Sequence, residues 1–235
     1  MTTTLHDDDV DERELVRTAR TTGLLYLGIC LTALLGHFMI PAQIFATDDA
    51  AATLRQLVER ETLARLGIAM ELGTVLFGAL LAVWFYRLFR SVDAFTAGTV
   101  LVFGMVNAVA ILGSAAFLAT ALDVALDPSL DGAAATAQLM YVVSGNLWDV
   151  SAVFFGLWLI PMGLLVLRSG WMPRLMGWLL TAGGVGYVLY TFFVYLAPDA
   201  ASIAAVLTFP AVSEFWMVGY LLVKGVRRPS VRYPG

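Results

Sequence analysis

Residues 94–122 read AFTAGTVLVFGMVNAVAILGSAAFLATAL, an apolar stretch without a single charged side chain. The hydrocarbon core of a bilayer is about 30 Å thick, so a helix needs about 20 mostly apolar residues to cross it. This stretch is longer than that. It is also continuously apolar, whereas the strands of a membrane barrel alternate apolar and polar residues over about 10 positions. It therefore predicts a membrane-spanning helix.

Five further runs of this kind occur along the chain. The predicted spans are residues 21–45, 63–86, 94–122, 138–166, 175–196 and 203–223. Of the 235 residues, 60% are hydrophobic and 14% are charged, whereas a soluble domain carries about 25% charged residues. This composition excludes a water-soluble globule. It predicts an all-α integral membrane protein with a single six-helix bundle over residues 21–226.

The two ends of the chain are polar and carry opposite charge. The first 20 residues hold six of the 18 acidic side chains: Asp7, Asp8, Asp9, Asp11, Glu12 and Glu14. We expect residues 1–20 to form a disordered acidic tail, since this segment cannot bury much apolar surface. Residues 227–235 are expected to form a basic cytoplasmic tail. With a net charge of −4, the chain is not expected to bind nucleic acid.

The basic residues predict the orientation of the bundle. If the N-terminus is inside, the inner segments hold eleven of the 14 lysines and arginines, and only Arg55, Arg60 and Arg65 lie outside. Because cytoplasmic loops carry an excess of basic residues, both termini are predicted to be cytoplasmic, in the cell membrane. Thirteen arginines against one lysine further indicate a GC-rich prokaryotic genome.

A short polar segment, residues 49–62, lies between the first two predicted spans. It carries Leu54, Leu57 and Val58 at helical spacing, after the capping residues Thr47, Asp48 and Asp49. This pattern predicts a short amphipathic helix on the outer surface. The alternative is a solvated loop helix that leads into the second span. Arg65 follows Glu61 by one turn, which predicts an ion pair between them.

Short segments spread along the chain carry a family resemblance. They are residues 20–27, 65–68, 86–90, 222–226 and above all 154–187, which include Phe154-Phe155-Gly156, Arg168-Ser169-Gly170, Pro173-Arg174, Gly177 and Gly184-Val185-Gly186-Tyr187. Together they resemble the prokaryotic multipass membrane family called domain of unknown function 4386. The resemblance covers nearly the whole chain after residue 20, with Ala64 as a departure. It implies the membrane architecture and no activity.

Ionisable side chains lie inside four predicted spans: His37, Glu71, Asp149 and Glu214. Each costs about 2.5 to 3.5 kcal/mol on insertion, so each requires an explanation. At 1.5 Å per residue they lie roughly 12 to 16 Å below the predicted outer boundary. Asn107, Asn146 and Tyr190 add hydrogen-bonding groups. The sequence therefore predicts one outward-facing polar pocket formed by His37, Glu71, Asn107, Asn146, Asp149, Tyr190 and Glu214.

Three tryptophans lie deep in the predicted spans: Trp148, Trp158 and Trp216. We expect them either to form the apolar wall of the pocket or to pack in the core. The polar set also has an alternative explanation. Buried carboxyls and amides can hold helices together by hydrogen bonds, each worth about 0.6 kcal/mol.

Several classes of site are excluded by missing residues. His37 is the one histidine in a predicted span, so a haem held by two histidines and a three-histidine zinc site are both excluded. The single cysteine, Cys30, excludes a disulfide and a thiolate zinc site. Nucleotide-binding and serine-hydrolase motifs are also missing. We therefore expect no cofactor and no resident metal.

Three functions remain open. The first is a protein that binds or moves a small apolar or amphipathic ligand with proton coupling, for which six helices favour a homodimer. The second is an intramembrane enzyme in which Glu71, Asp149 or Glu214 protonates a lipid or terpenoid-like substrate. The third is a non-catalytic partner subunit. Whether the protein is an enzyme is left open by the sequence.

Overall fold

The computed structural model describes residues 3–200 and 205–226, with side chains for 12–199 and 205–226. Every regular element in these ranges is helical. The α-helices are α1 Thr3–Ala33, α2 Pro41–Ile44, α3 Ala50–Glu59, α4 Glu61–Phe89, α5 Ala94–Leu126, α6 Ala133–Ser169, α7 Arg174–Leu196 and α8 Ser213–Val223. A π-helix, Leu34–Met39, follows α1, and two 3₁₀-helices, Pro198–Ala200 and Val206–Val212, precede α8.

Six helical stretches are long and apolar enough to cross a membrane. They are Glu12–Ile44, Glu61–Phe89, Ala94–Leu126, Ala133–Ser169, Arg174–Leu196 and Val206–Val223. Each contains or overlaps one predicted run, so the prediction of an all-α, six-span membrane bundle is confirmed. Several helices extend beyond the apolar runs. For example, α6 starts at Ala133 because the alanine-rich segment before Gln138 favours a helix.

The predicted disordered tail is wrong for residues 12–20, which are a continuous part of α1. This segment is rich in glutamate, arginine, leucine and alanine, which have high helix propensity. Its Glu14 also forms an ion pair with Arg87 at 2.7 Å. The sequence reasoning weighed charge and low hydropathy and gave too little weight to helix propensity. The predicted basic tail, residues 227–235, lies outside the described residues.

The short helix between the first two spans is confirmed as α3. The Asp49 carboxylate accepts a hydrogen bond from the Ala52 backbone N–H at 2.8 Å, which caps the helix as predicted. Thr53 and Leu57 are buried, whereas Val58 is exposed. The helix thus has one packed side and one exposed side, but Val58, which the spacing placed on the apolar side with Leu54 and Leu57, lies on the exposed side. The predicted ion pair between Arg65 and Glu61 is also present, at 2.7 Å.

The chain forms two compact units. The first unit comprises Met1–Leu27, Leu80–Met105 and Val153–Gly235, and the second comprises Gly28–Ala79 and Val106–Ala152. The boundary between the units therefore divides four helices, α1, α4, α5 and α6, and each of them has one part in each unit.

In the first unit, α6 and α7 pack through glycines. A Cβ atom on Gly156 would lie 2.6 Å from the Gly184 carbonyl oxygen, and one on Gly163 would lie 2.5 Å from the Gly177 carbonyl oxygen. No real side chain fits there, so the two helix backbones are in direct contact. Gly170, with a φ of 65°, makes the sharp turn between the two helices.

In the second unit, an apolar core closes one end of the helices. Ile44, Leu57, Leu118 and Tyr141 are buried together there, and Phe45 stacks on Tyr141 with ring centroids 5.5 Å apart. The side-chain amide of Gln138 donates hydrogen bonds to the carbonyls of Ala46 and Thr47, both at 2.9 Å. The segment that carries α2 and α3 is therefore anchored on the ends of α5 and α6.

Candidate functional site

Glu71 is the most completely buried ionisable group of the second unit. It lies in the first half of α4, and its exposed fraction is 0%. The indole N–H of Trp148 donates a hydrogen bond to Glu71 Oε1 at 3.0 Å. The other carboxyl oxygen, Oε2, has no hydrogen-bond partner among the described residues. A buried polar atom without a partner is costly, so it calls for a functional or structural explanation.

His37 reaches the same tryptophan from the π-helix Leu34–Met39. Its ring stacks on the Trp148 ring, with centroids 4.0 Å apart and an interplanar angle of 21°. Residue 41 is proline and has no N–H to donate to the His37 carbonyl, so the regular α-helical bond is impossible there. The Ile40 N–H instead bonds to the Leu35 carbonyl five residues earlier, at 3.0 Å. Such π-turns are frequent at functional sites.

A glycine brings the π-helix close to α4 beside Glu71. A Cβ atom on Gly36 would lie 2.9 Å from the Glu71 backbone nitrogen and 3.0 Å from Met70 Cβ. One turn along α4, the Thr74 hydroxyl donates to the Thr32 hydroxyl at 3.0 Å. Gly36 and the Thr32–Thr74 bond therefore fix the position of the first span against α4 on both sides of the carboxyl.

Two serines complete the surroundings of Glu71. The hydroxyls of Ser114 on α5 and Ser144 on α6 are 2.7 Å apart and buried, and Ser144 precedes Trp148 by one turn. Ser114 also neighbours the Glu71 carboxyl. We call His37, Glu71, Ser114, Ser144 and Trp148 the Glu71 cluster. Four helical segments of the second unit contribute to it.

Three other predicted pocket residues belong to the second unit but differ in burial. Asn107 is half-buried on α5, whereas Asn146 and Asp149 are exposed on α6. None of these three side chains makes a hydrogen bond to another of the residues that the structure describes. The structure thus brings His37 and Glu71 together through Trp148, which was predicted as a wall residue, and leaves Asn146 and Asp149 at the surface of the chain.

Glu214 has a different environment, in the first unit. It is buried at the start of α8, and the Tyr26 hydroxyl donates a hydrogen bond to its carboxyl group. The Tyr26 ring lies edge-on to Phe85 and Trp158, with centroid distances of 5.7 and 6.4 Å. We call Tyr26, Phe85, Trp158 and Glu214 the Glu214 cluster.

The remaining predicted residues also lie in the first unit. Tyr190 is half-buried on α7, and Trp216 on α8 is 40% exposed. The predicted set is therefore divided between the two compact units. A single pocket formed by all seven polar residues stays a prediction.

The sequence analysis missed Tyr26, Ser114, Ser144 and the π-turn. Tyr26 lies in one of the segments that carry the family resemblance, but a tyrosine in an apolar run does not show which carboxyl it meets. The π-turn had a signal, since Gly36 and Pro41 flank His37 within six residues. A glycine permits close approach and a proline removes a donor, so together they indicate an irregular turn.

A third polar cluster caps α5 around Asp93, which lies just before the span Ala94–Leu126. Asp93 accepts hydrogen bonds from the Thr96 backbone N–H at 3.1 Å and from the Thr96 hydroxyl at 2.8 Å, and it pairs with Arg168. The Thr96 backbone N–H, followed by the Thr96 hydroxyl and the Arg168 charge, lowers the pKa of Asp93 below its ordinary value. The Asp93 carboxylate thus caps α5 and pairs with Arg168 at the end of α6, which assigns the cluster a structural role.

No group of three or more histidine, cysteine, aspartate and glutamate side chains that fits a metal ion occurs in the described ranges. The expectation of no resident metal rests on the sequence and stays a prediction.

Comparison with known proteins gives one match. The family model called domain of unknown function (DUF4386) matches residues 21–225, which include most of the first span and all of the other five. No curated protein and no solved structure matches the chain.

Proposed function

The chain belongs to the family called domain of unknown function 4386, and we propose that it binds a small amphipathic ligand at the Glu71 cluster and exchanges a proton on Glu71 as the ligand binds. The observation that carries this proposal is the buried Glu71 Oε2 atom without a partner. An oxygen in this position accepts a hydrogen bond from any donor that enters the cluster. A ligand with a hydroxyl or amine group at the end of an apolar chain fits this requirement.

The surroundings of the carboxyl support a ligand of this kind. Trp148 lies beside it and carries the His37 ring stacked on its own ring, and aromatic faces bind apolar chains well. Trp148 donates its single N–H to Oε1, so it has no second N–H to donate to Oε2. The Ser114 and Ser144 hydroxyls share one hydrogen bond, which uses one of their two protons, and Oε2 accepts a hydrogen bond from neither of them. The protein thus supplies apolar walls and one open acceptor.

Proton coupling follows from the electrostatics of a buried carboxyl. An ionised carboxylate in an apolar interior requires hydrogen bonds or an opposite charge. A ligand donor at Oε2 changes the stability of the ionised form relative to the neutral form. Because the two forms differ by one proton, ligand binding and proton exchange on Glu71 are thermodynamically linked.

The orientation is a separate part of the proposal. We propose that both termini face the cytoplasm and that the protein lies in the cell membrane. The distribution of eleven lysines and arginines against three supports this, because basic residues are retained on the cytoplasmic side. In this orientation α3 lies on the outer surface.

The test uses the full chain in lipid nanodiscs with three eight-carbon probes. Octanol and octylamine each carry one hydrogen-bond donor group, and octyl methyl ether carries none. We expect the two donor probes to raise the unfolding temperature more than the ether does. A pH-sensitive dye in weakly buffered solution should report proton release or uptake when octanol or octylamine binds.

The decisive variant is Glu71→Gln, which keeps the shape and a hydrogen-bonding amide but removes the titratable group. Proton exchange should disappear in this variant, while the unfolding temperature without probe stays close to that of the wild type. The matched control is Glu61→Gln, a half-buried acid on the same helix that pairs with Arg65. It should exchange protons like the wild type. Equal proton exchange in Glu71→Gln and the wild type would refute the proposal.

A further inference from the structure

A groove of about 310 Å³ lies between α4 and α5 in the second unit. Its lining residues are Arg65, Ile68, Ala69, Leu72, Ala119, Leu122 and Asp123. Five of the seven are apolar, and the two charged residues have opposite sign. None of the residues of the Glu71 cluster lines this groove, so it is a separate feature of the molecule.

The charged residues lie at one end of the groove and the apolar ones extend from it. Arg65 comes four residues after the start of α4, and Asp123 comes three residues before the end of α5. Both are therefore close to the ends of their spans, where lipid headgroups lie. Leu72 is seven residues further along α4, which places it about 10 Å deeper at 1.5 Å per residue. The groove thus has the amphipathic profile of a lipid molecule.

Both charged side chains have free capacity for a headgroup. Arg65 uses Nε on Glu61 at 2.7 Å, and its terminal amino groups make no hydrogen bond or ion pair within the described part of the chain. Asp123 is exposed and likewise has no hydrogen-bond partner in the ranges described. A guanidinium binds phosphate through its terminal N–H groups, and a carboxylate binds a primary ammonium.

We propose that this groove binds one zwitterionic phospholipid with a primary ammonium headgroup, phosphatidylethanolamine. Its phosphate binds the terminal amino groups of Arg65, its ammonium donates to Asp123, and an acyl chain lies along Ile68, Leu72 and Leu122. The inference concerns a different face of α4 from the proposed ligand site and does not depend on it.

Charge complementarity favours this headgroup over the other common ones. At the headgroup end, Arg65 and Asp123 line the groove, and Glu61 pairs with Arg65 beside it. One cation therefore stands against two carboxylates, and the excess negative charge repels an anionic lipid. Phosphatidylcholine has the same net charge as phosphatidylethanolamine, but its methylated ammonium has no N–H to donate to Asp123. Discrimination between these two lipids therefore reports on Asp123 specifically.

Native mass spectrometry of the purified full chain tests the proposal. The protein is equilibrated with equal amounts of phosphatidylethanolamine, phosphatidylcholine and phosphatidylglycerol, and the lipids retained per chain are counted. We expect the wild type to retain phosphatidylethanolamine several-fold over the other two. Asp123→Asn should lose the preference over phosphatidylcholine, and Arg65→Gln should retain less of all three lipids.

Two exposed residues of α3 provide matched controls, Glu59→Gln for the acid and Arg55→Gln for the base, and both should retain the wild-type preference. Free phosphoethanolamine, which has the headgroup but no acyl chain, should not displace the lipid. Asp123 is exposed, so its variant is expected to fold, and an unchanged unfolding temperature confirms this. An unchanged lipid preference in folded Asp123→Asn, or a wild-type preference for phosphatidylglycerol, would overturn the proposal.

Discussion

Glu71 and Glu214 are both buried carboxyls, but their oxygens meet different groups. Glu214 receives a hydroxyl from Tyr26, whereas Glu71 receives the indole N–H of Trp148 on one oxygen and nothing from the described residues on the other. A satisfied carboxyl is typical of a hydrogen bond that holds helices together. The open oxygen at Glu71 is the reason that the proposed ligand site is placed there.

The hydrogen bond from Trp148 to Glu71 leads to a prediction about the stability of the fold. Trp148→Phe keeps an aromatic ring against His37 but removes the N–H donor, so both Glu71 oxygens are left without a partner. Loss of a partner for a buried polar group costs about 1 to 3 kcal/mol. We expect a lower free energy of unfolding by this amount, measured by denaturant titration in nanodiscs.

Trp178→Phe is the control for this prediction, since Trp178 is 60% exposed and should tolerate phenylalanine with little loss. If Trp148→Phe were as stable as Trp178→Phe, the hydrogen bond to Glu71 would not contribute to the fold.

The sequence identified Glu71 and His37 as important residues but not the way in which they meet. Their depth in the membrane can be read from their distance to the span ends. The rotation of a helix about its axis cannot, because successive residues differ by about 100°. Trp148 and Asp149 are adjacent in the sequence, yet Trp148 contacts Glu71 and Asp149 is exposed. If the helix were rotated about its axis by the angle of one residue, Asp149 would face Glu71 and Trp148 would be exposed.

Glycine contacts decide how α6 and α7 pack in the first unit. The pairs Gly156–Gly184 and Gly163–Gly177 are each seven residues apart on their own helix, so they lie on one face two turns apart. Several of these glycines belong to the segments on which the family resemblance rests. Their role is physical: only hydrogen fits between the two backbones.

A second prediction belongs to this contact. Gly156→Ala places a Cβ atom 2.6 Å from the Gly184 carbonyl oxygen, which is backbone and cannot move aside cheaply. Overpacking of this kind costs about 1 to 3 kcal/mol, so the unfolding temperature should fall clearly. Gly145→Ala is the matched control on the same helix, because its added Cβ meets nothing within 4 Å.

Gly145→Ala should be neutral or slightly stabilising, since alanine favours a helix. Equal unfolding temperatures for the two variants would show that α6 and α7 are not in direct backbone contact at Gly156.

The positions of the spans and the cap by Asp49 were predictable, because each follows from the local amino-acid composition. The π-helix was not predicted, because it depends on a combination of Pro41, which removes a donor, and Gly36, which permits tight packing against α4. The helical course of residues 12–20 was missed for a related reason. Charged residues with high helix propensity continue a helix that the adjacent apolar span has already nucleated.

At the scale of the whole molecule, hydropathy was sufficient to predict a six-span membrane protein. In the bilayer, the backbone N–H and C=O groups of every spanning segment must be hydrogen-bonded within the protein. Only helices and closed barrels achieve this, so a long apolar run that does not belong to a barrel must be a helix. The division into two compact units was not predictable, since it depends on contacts between segments that are distant in sequence.

The proposed orientation predicts on which side of the membrane each loop lies. Reporter fusions after Leu126 and after Arg228 should face opposite sides of the membrane, the first outside and the second in the cytoplasm. A phosphatase that is active only outside and a fluorescent protein that folds only inside give opposite signals at the two positions. Identical signals at both positions would contradict the six-span topology, and exchanged signals would contradict the orientation.

The most direct test of the central claim is an infrared difference spectrum of the carboxyl groups in nanodiscs, recorded before and after octylamine is added. We expect a carboxyl C=O band that changes in the wild type and in Glu61→Gln and is missing from the difference spectrum of Glu71→Gln. The same band change in Glu71→Gln as in the wild type would contradict proton exchange on Glu71, because the proton would then reside on another group.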